Sequence, residues 1–261
     1  MNSTINLVTP ISHLFESNEN ANKIISHSDY LECRDRTYNF DYETQLLFHT
    51  DFQPIHRLSD KVFKYLENIK QTKKDLKLIS FHAASSCDRP KLKDGMFYPG
   101  GKQYLRDEML NNAQENFKII KKIFGPSVDI AIENNNYYPT PAYEHITEAD
   151  FINTLIKNSD LNLLFDIAHA QVTCVNKKIK YSQYKQELLL EKAIQLHICQ
   201  HGLRSDGLAY DAHEVPSESL FDEVGKLIND FPNIKFLTIE YYKNTSVLID
   251  ILDKFSSFKN E

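Results

Sequence analysis

Histidines and carboxylates recur in this sequence at one kind of place, the end of a short apolar run. His49 closes TQLLFHT, His82 follows LKLISF, Glu133 closes VDIAIE, and Asp166 lies in LNLLFDIAHA with His169 three residues on. His197 lies in IQLHICQ, Asp211 and His213 follow as Asp-x-His, and Glu240 closes IKFLTIE. A single histidine at such a place is more often a hydrogen-bonded core residue than a ligand. A carboxylate flanked by apolar residues is different, because burying it unpaired is costly. Glu133, Asp166 and Glu240, at the same end of different strands, repel one another unless cations lie between them. The nine residues are therefore read as ligands of divalent metal ions. Imidazole and carboxylate without thiolate suit iron, zinc or manganese, and residue type alone does not choose among them.

Such convergence needs a scaffold that brings many strand ends to one mouth. Apolar, often β-branched or aromatic runs occupy residues 5–11, 30–34, 44–50, 76–83, 128–134, 161–168, 194–200 and 234–241, as buried parallel strands do. Amphipathic helices lie between most of them. Val62, Tyr65, Leu66 and Ile69 share a face after Ser59, and Leu105, Met109, Ala113, Phe117 and Ile120 mark a longer helix. Thr147 with Asp150 reads as a capping arrangement for a helix carrying Phe151, Leu155 and Ile156. The alternation predicts an α/β fold, a (β/α)8 TIM barrel forming a single domain over residues 1–261, with its chemistry at the C-terminal strand ends. Residues 85–103 read as a long irregular loop on that rim. Gly95, Gly100 and Gly101 give it freedom, and Met96, Phe97 and Tyr98 give it an apolar tip, which suits either a lid or a static surface loop.

Composition narrows the class. The chain has 261 residues, 41% hydrophobic and 25% charged, which excludes disorder, collagen and a coiled coil as the dominant state. No apolar run approaches the ~18–20 residues that cross a bilayer. The opening MNSTINLVTPISHLF lacks a basic region and a long apolar core, so no secretory signal is expected. A net charge of −6 argues against a general nucleic-acid binder. Cys33, Cys87, Cys174 and Cys199 form no CxxC pair and read as reduced thiols of a cytoplasmic protein. Cys33 and Cys199 read as small barrel residues rather than metal thiolates. With only seven glycines there is no Gly-rich phosphate loop. His13, His27, His56 and His145 read as surface residues. His201 stays open between a supporting, a substrate-facing and a structural role. Tyr137, Tyr138, Tyr210, Tyr241 and Tyr242 either line a substrate pocket or pack.

In this order and spacing, the residues resemble the multinuclear non-haem iron-dependent oxidative enzymes, the family whose best-known member acts in methanobactin biosynthesis, within the xylose-isomerase-like TIM-barrel superfamily. The resemblance runs from about Tyr30 to Tyr242. It is carried by Glu133, Asn134, Tyr137, Glu148 and Phe151, by Leu163, Leu164, Asp166 and His169, and by His197, His201, Asp211, His213 and Glu240. His169 stands where that family often has Asn, Gln200 where a Gly usually precedes the second histidine, and residues 85–88 depart from its Leu-rich continuation. The resemblance implies two or three irons, mixed-valent in some states. His49, His82 and Glu133 would form one outer site, Glu133, Asp166, His197 and Glu240 the central site, and His169, Asp211 and His213 the other outer site. It assigns His201, Tyr137 and Tyr241 to substrate binding and no catalytic residue beyond the ligands. The implied substrate is a ribosomally synthesised precursor peptide, oxidised with O2 at cysteine, with a small peptide-recognition protein as further partner.

The same ligands also resemble endonuclease IV, the trinuclear-zinc abasic-site nuclease, which His169 fits. The long stretch from His82 to Glu133 and the acidic charge weigh against that alternative, so DNA is not the expected partner. A barrel that binds metal or peptide without catalysis is the third reading, and the intact ligand set counts against it.

Overall fold

The computed structural model describes residues 5–260. Its strands are β1 (Asn6–Pro10), β2 (Tyr30–Arg34), β3 (Gln45–Thr50), β4 (Leu78–Phe81), β5 (Lys91–Lys93), β6 (Met96–Tyr98), β7 (Asp129–Glu133), β8 (Asn162–Asp166), β9 (Ala193–Ile198), β10 (Gln200–Leu203), β11 (Ala209–Glu214) and β12 (Phe236–Ile239). Each of the expected apolar runs supplies one strand of a closed parallel barrel, in the order β1-β12-β9-β8-β7-β4-β3-β2. The ring closes where β12 pairs with β1, Leu237 opposite Leu7. The helices are α1 (Asn18–His27), α2 (Asp60–Thr72), α3 (Arg106–Phe124), α4 (Ala149–Ser159), α5 (Ile167–Lys177), α6 (Tyr181–Glu187), α7 (Glu218–Asp230) and α8 (Thr245–Phe255). The chain crosses from β2 to β3 through a short 3-10 turn, Asp35–Thr37, rather than an α-helix.

Two apolar layers hold the barrel. The helices bury residues such as Leu66 and Ile69 of α2 and Met109, Phe117 and Ile120 of α3 in the main core. Each such side chain contributes about 1.5–3 kcal/mol relative to exposure. A smaller cluster contains Val8, Leu47, Leu78, Ala131, Leu164 and Phe236. Strand residues two apart share a face. Two residues beyond members of this cluster come His49, Ser80, Glu133, Asp166 and Thr238, all buried. The lumen therefore changes from an apolar plug to a polar layer toward the C-terminal strand ends, where the candidate ligands stand.

Several local expectations change. The stretch 85–103 is not irregular: β5 and β6 pair as an antiparallel hairpin. Asp94 and Gly95 at its turn both have positive φ, 52° and 73°, the backbone that matches the twist of a two-residue hairpin. A bridge between Cys87 and Gln103 closes its base. Phe97 N–H donates to Tyr143 Oη at 3.0 Å, and Thr140 Oγ1 donates to Phe97 O at 2.5 Å. Asp211 and His213 lie in β11 of a second hairpin with β10, not in a loop. Thr147 does not cap α4, which starts at Ala149 behind Glu148 with no side-chain cap; Thr147 is itself buried. His56 is buried rather than at the surface, with Nε2 2.8 Å from Ser85 O. Among the described residues, no helix is long and apolar enough to cross a membrane.

Candidate metal centre

The barrel brings the expected ligands together around Glu133. Its Oε2 lies 2.8 Å from His82 Nδ1 and 3.6 Å from His49 Nε2. Its Oε1 lies 3.2 Å from His197 Nδ1 and 3.7 Å from His169 Nδ1. One carboxylate thus faces different histidines with its two oxygens. His197 Nδ1 is also 3.3 Å from Glu240 Oε1 and 4.0 Å from Asp166 Oδ2. On the far side, Asp211 Oδ2 lies 3.6 Å from His169 Nε2 and 3.1 Å from His213 Nε2, and His213 Nε2 is 3.4 Å from Glu240 Oε2. The second hairpin carries Asp211 and His213 over the mouth, and His213 has the left-handed φ of 46°.

Supporting groups fix the rings. His197 Nε2 lies 3.1 Å from Glu32 Oε2, which leaves Nδ1 aimed at the carboxylates. His49 Nδ1 lies 2.8 Å from Ser80 Oγ, leaving Nε2 inward. His169 Nδ1 donates to Asn134 O at 3.0 Å, leaving Nε2 toward Asp211. A histidine tied through one nitrogen with the other free is the arrangement that orients a metal ligand. His49 Nε2, Glu133 Oε2, Asp166 Oδ2 and His197 Nδ1 are buried and make no aligned hydrogen bond, facing one another, His82 and Glu240 instead. A buried polar group with no aligned hydrogen bond is costly unless another charge compensates it. Four such inward-facing atoms of metal-binding type fit divalent cations shared among them.

The sequence reading missed Glu32 and Arg34. Glu32 is fully buried and accepts from Arg34 at 2.7 Å and from Gln195 Nε2 at 2.6 Å. Arg34 also bonds Glu240 Oε1. The signal was present: YLECR places a carboxylate between Leu31 and Cys33 in an apolar strand, the same anomaly as Glu133.

The charges are strongly perturbed. Burial raises Glu32, but His197 and Arg34 beside it outweigh that and hold it down at about 2. Asp166 goes the other way. Burial, helped by the charges of Glu133, Glu240 and Asp211, pushes it up to about 7 against the pull of His169. Burial opposes the charged form of His197 and His169, yet carboxylate neighbours push both well above the ordinary histidine range. His49 is held well below it by burial and by His82. The carboxylates thus draw in whatever positive charge is to hand, protons on histidine in the bare chain.

The remaining candidates separate. His201 is half-buried, with Nδ1 2.8 Å from Gln171 Oε1. Tyr137 is half-buried, packs edge-on to Tyr143 and lies under Lys177 Nζ. Tyr241 is buried in the main core. Its neighbour Tyr242 reaches the centre instead, its hydroxyl donating to Glu240 Oε1 at 3.3 Å and its ring 5.0 Å from that of His213. Asp94, Gly95, Tyr138, Arg204, Tyr210 and Asp211 line a cleft of about 310 Å³ between the two hairpins.

A family model described as RiPP precursor modification enzyme MbnB/TglH/ChrH matches residues 56–248. That span holds every expected ligand except His49. A UPF0276 protein of Shewanella sediminis (strain HAW-EB3) is 31% identical over 84 residues, 32% of this chain and 30% of that one. A UPF0276 protein of Shewanella loihica (strain ATCC BAA-1088 / PV-4) is 23% identical over 154 residues, 59% of this chain and 51% of that one. The chain therefore spans about half, or less, of the length of these curated relatives. A solved structure of a D-tagatose 3-epimerase-like protein superposes with a TM-score of 0.63 at 15% identity, covering 97% of each chain, and shares the fold.

Proposed function

The chain belongs to the MbnB/TglH/ChrH family of RiPP precursor modification enzymes, and on that premise we propose that it is a multinuclear iron enzyme that uses O2 to modify a precursor peptide at cysteine. The observation that carries the reading is the set of buried metal-binding atoms that converge at the barrel mouth with no aligned hydrogen bond, His49 Nε2, Glu133 Oε2, Asp166 Oδ2 and His197 Nδ1. His49, His82 and Glu133 would hold one ion, Glu133, Asp166, His197 and Glu240 a second, and His169, Asp211 and His213 a third. Bound iron would supply an open position for the substrate thiolate and the electrons that reduce O2.

The chain's own residues do the rest. Ser80, Glu32 and Asn134 fix the rings of His49, His197 and His169, so that each presents one lone pair inward. Arg34 holds Glu32 and Glu240 in place by pairing with both. The cleft between the hairpins reaches Asp211, and we assign it as the entry for the peptide. His201 and Tyr137 remain the proposed substrate contacts, and Tyr242 is better placed at the centre than Tyr241.

The test is anaerobic reconstitution with Fe(II), metal counting and a spectroscopic search for a coupled cluster. Incubation with a short Cys-containing peptide encoded in a neighbouring reading frame follows, with and without O2. An O2-dependent mass change of that peptide supports the proposal. Stoichiometric zinc, cleavage of an abasic duplex and an unaltered peptide would overturn it in favour of the nuclease alternative.

A further inference from the structure

We propose that Cys199 is a further donor of the outer pocket formed with Asp211, His213 and Glu240, so that one ion is held in part by a thiolate. This rests on the metal-centre reading above and adds a ligand chemistry that the histidine and carboxylate set lacks.

The placement follows from strand periodicity. Gln195, His197 and Cys199 are two residues apart along the run that forms β9, and side chains at that spacing share one face. Gln195 and His197 both contact Glu32 in the lumen. Cys199 continues their row one step nearer the mouth, 1% exposed. Cys33, Cys87 and Cys174 each belong to the main apolar core, whereas Cys199 is in neither apolar cluster. Its surroundings are polar.

The distances define a coordination sphere. Cys199 Sγ lies 3.2 Å from Asp211 Oδ1. The donor atoms of Cys199, His213 and Glu240 lie within 4.8 Å of one another. The same Glu240 faces the buried Nδ1 of His197 at 3.3 Å. Without a metal, the thiol S–H donates a hydrogen bond to Asp211 Oδ1. With one, sulfur binds as thiolate, and that proton leaves to solvent. One sulfur, the imidazoles of His169 and His213, and carboxylate oxygens make a pocket that favours Fe(II), Co(II) or Zn(II) over Mn(II) or Mg(II). The His49–His82–Glu133 pocket has no sulfur. The two outer sites would then differ in softness and fill selectively.

The experiment titrates the metal-free full chain with Co(II) alone and follows the near-ultraviolet thiolate-to-cobalt charge-transfer band. The parent and Cys174→Ser should develop the band to one thiolate per chain. Cys199→Ser should lose it, keep the visible cobalt bands of the remaining pockets, and bind its weakest ion about 10–100-fold less tightly. Circular dichroism confirms that Cys199→Ser is folded, and the parent spectrum decides the matter even if it is not. A parent that takes up cobalt fully without the band, or a Cys199→Ser protein that keeps it, overturns the thiolate assignment and leaves the metal centre standing. A parent that takes up no cobalt overturns both.

Discussion

Glu32→Gln removes one charge from beneath the centre while keeping the side chain's volume. Glu32 Oε1 accepts from Arg34, and Oε2 lies 2.6 Å from Gln195 Nε2 and 3.1 Å from His197 Nε2. A glutamine offers one acceptor oxygen where the carboxylate offers two, so either Arg34 or the Gln195–His197 pair loses its partner. His197 is then free to turn, and its Nδ1 no longer faces Glu133 and Glu240 by default. Loss of such an orienting partner weakens metal binding by about 10–100-fold, or about 1.4–2.8 kcal/mol. Glu32→Ala goes further and strips a buried partner from Arg34. Breaking a buried pair costs about 3–5 kcal/mol. Arg34 keeps Glu240 and is partly exposed, which places the loss near the lower end. In a chain of this size about 3 kcal/mol lowers Tm by roughly 6–12 °C. Competition against a chromophoric chelator measures the first effect, and thermal melts of the metal-free proteins measure the second. A Glu32→Gln protein that binds metal as tightly as the parent, together with an unshifted melt for Glu32→Ala, would refute the supporting role.

Asp166→Ala and Glu240→Ala should each remove most bound metal from a folded barrel; unchanged metal content in both, with circular dichroism as the folding control, would sink the central-site assignment. His169→Ala should lower stoichiometry by about one ion per chain and spare the central ion; equal loss of every ion, or no loss, would show that the division into sites is wrong. Shortening the hairpin between Lys93 and Lys102 should leave metal content intact and weaken peptide binding and turnover, and parental turnover would exclude it from the substrate path. Burial holds His56 below the ordinary histidine range against its bond to Ser85. Its stabilisation is therefore complete above the unfolded value of about 6.5 and is lost as pH falls through the folded value. Denaturant melts above and below that pH should show a smaller acid-induced loss for His56→Gln than for the parent; an equal loss would mean His56 does not contribute.

The barrel strands were readable because a parallel strand buried on both faces must be an apolar run, and the polar residues that interrupt such runs, Glu133, Asp166 and His197, then stand out. Glu32 broke the same rule in YLECR but sits in the middle of a five-residue strand with Arg34 close by, and a neighbouring cation makes a carboxylate look like an ordinary ion pair. The first hairpin was hidden by its short strands, only three residues each, although Asp94-Gly95 is the dipeptide such a turn demands. Asp211 and His213 were read as candidate ligands without their strand, because β10 and β11 are only partly buried and give no apolar pattern. The choice between Tyr241 and Tyr242 was not legible. It depends on where β12 ends, and one residue of register exchanges core for site.

The closure of β12 on β1 has a consequence for biosynthesis. The proposed donors are spread from β3 to the end of β12, and Glu240 follows the last barrel strand. On the ribosome, the earlier strands emerge with their histidines long before Glu240 exists to face them. A half-made barrel can offer partial, mismatched pockets but not the finished centre. Loading the correct ions at the proposed centre is thus tied to the emergence of β12, and a polypeptide truncated before β12 would lack both the seam that closes the wall and the carboxylate of the proposed central site.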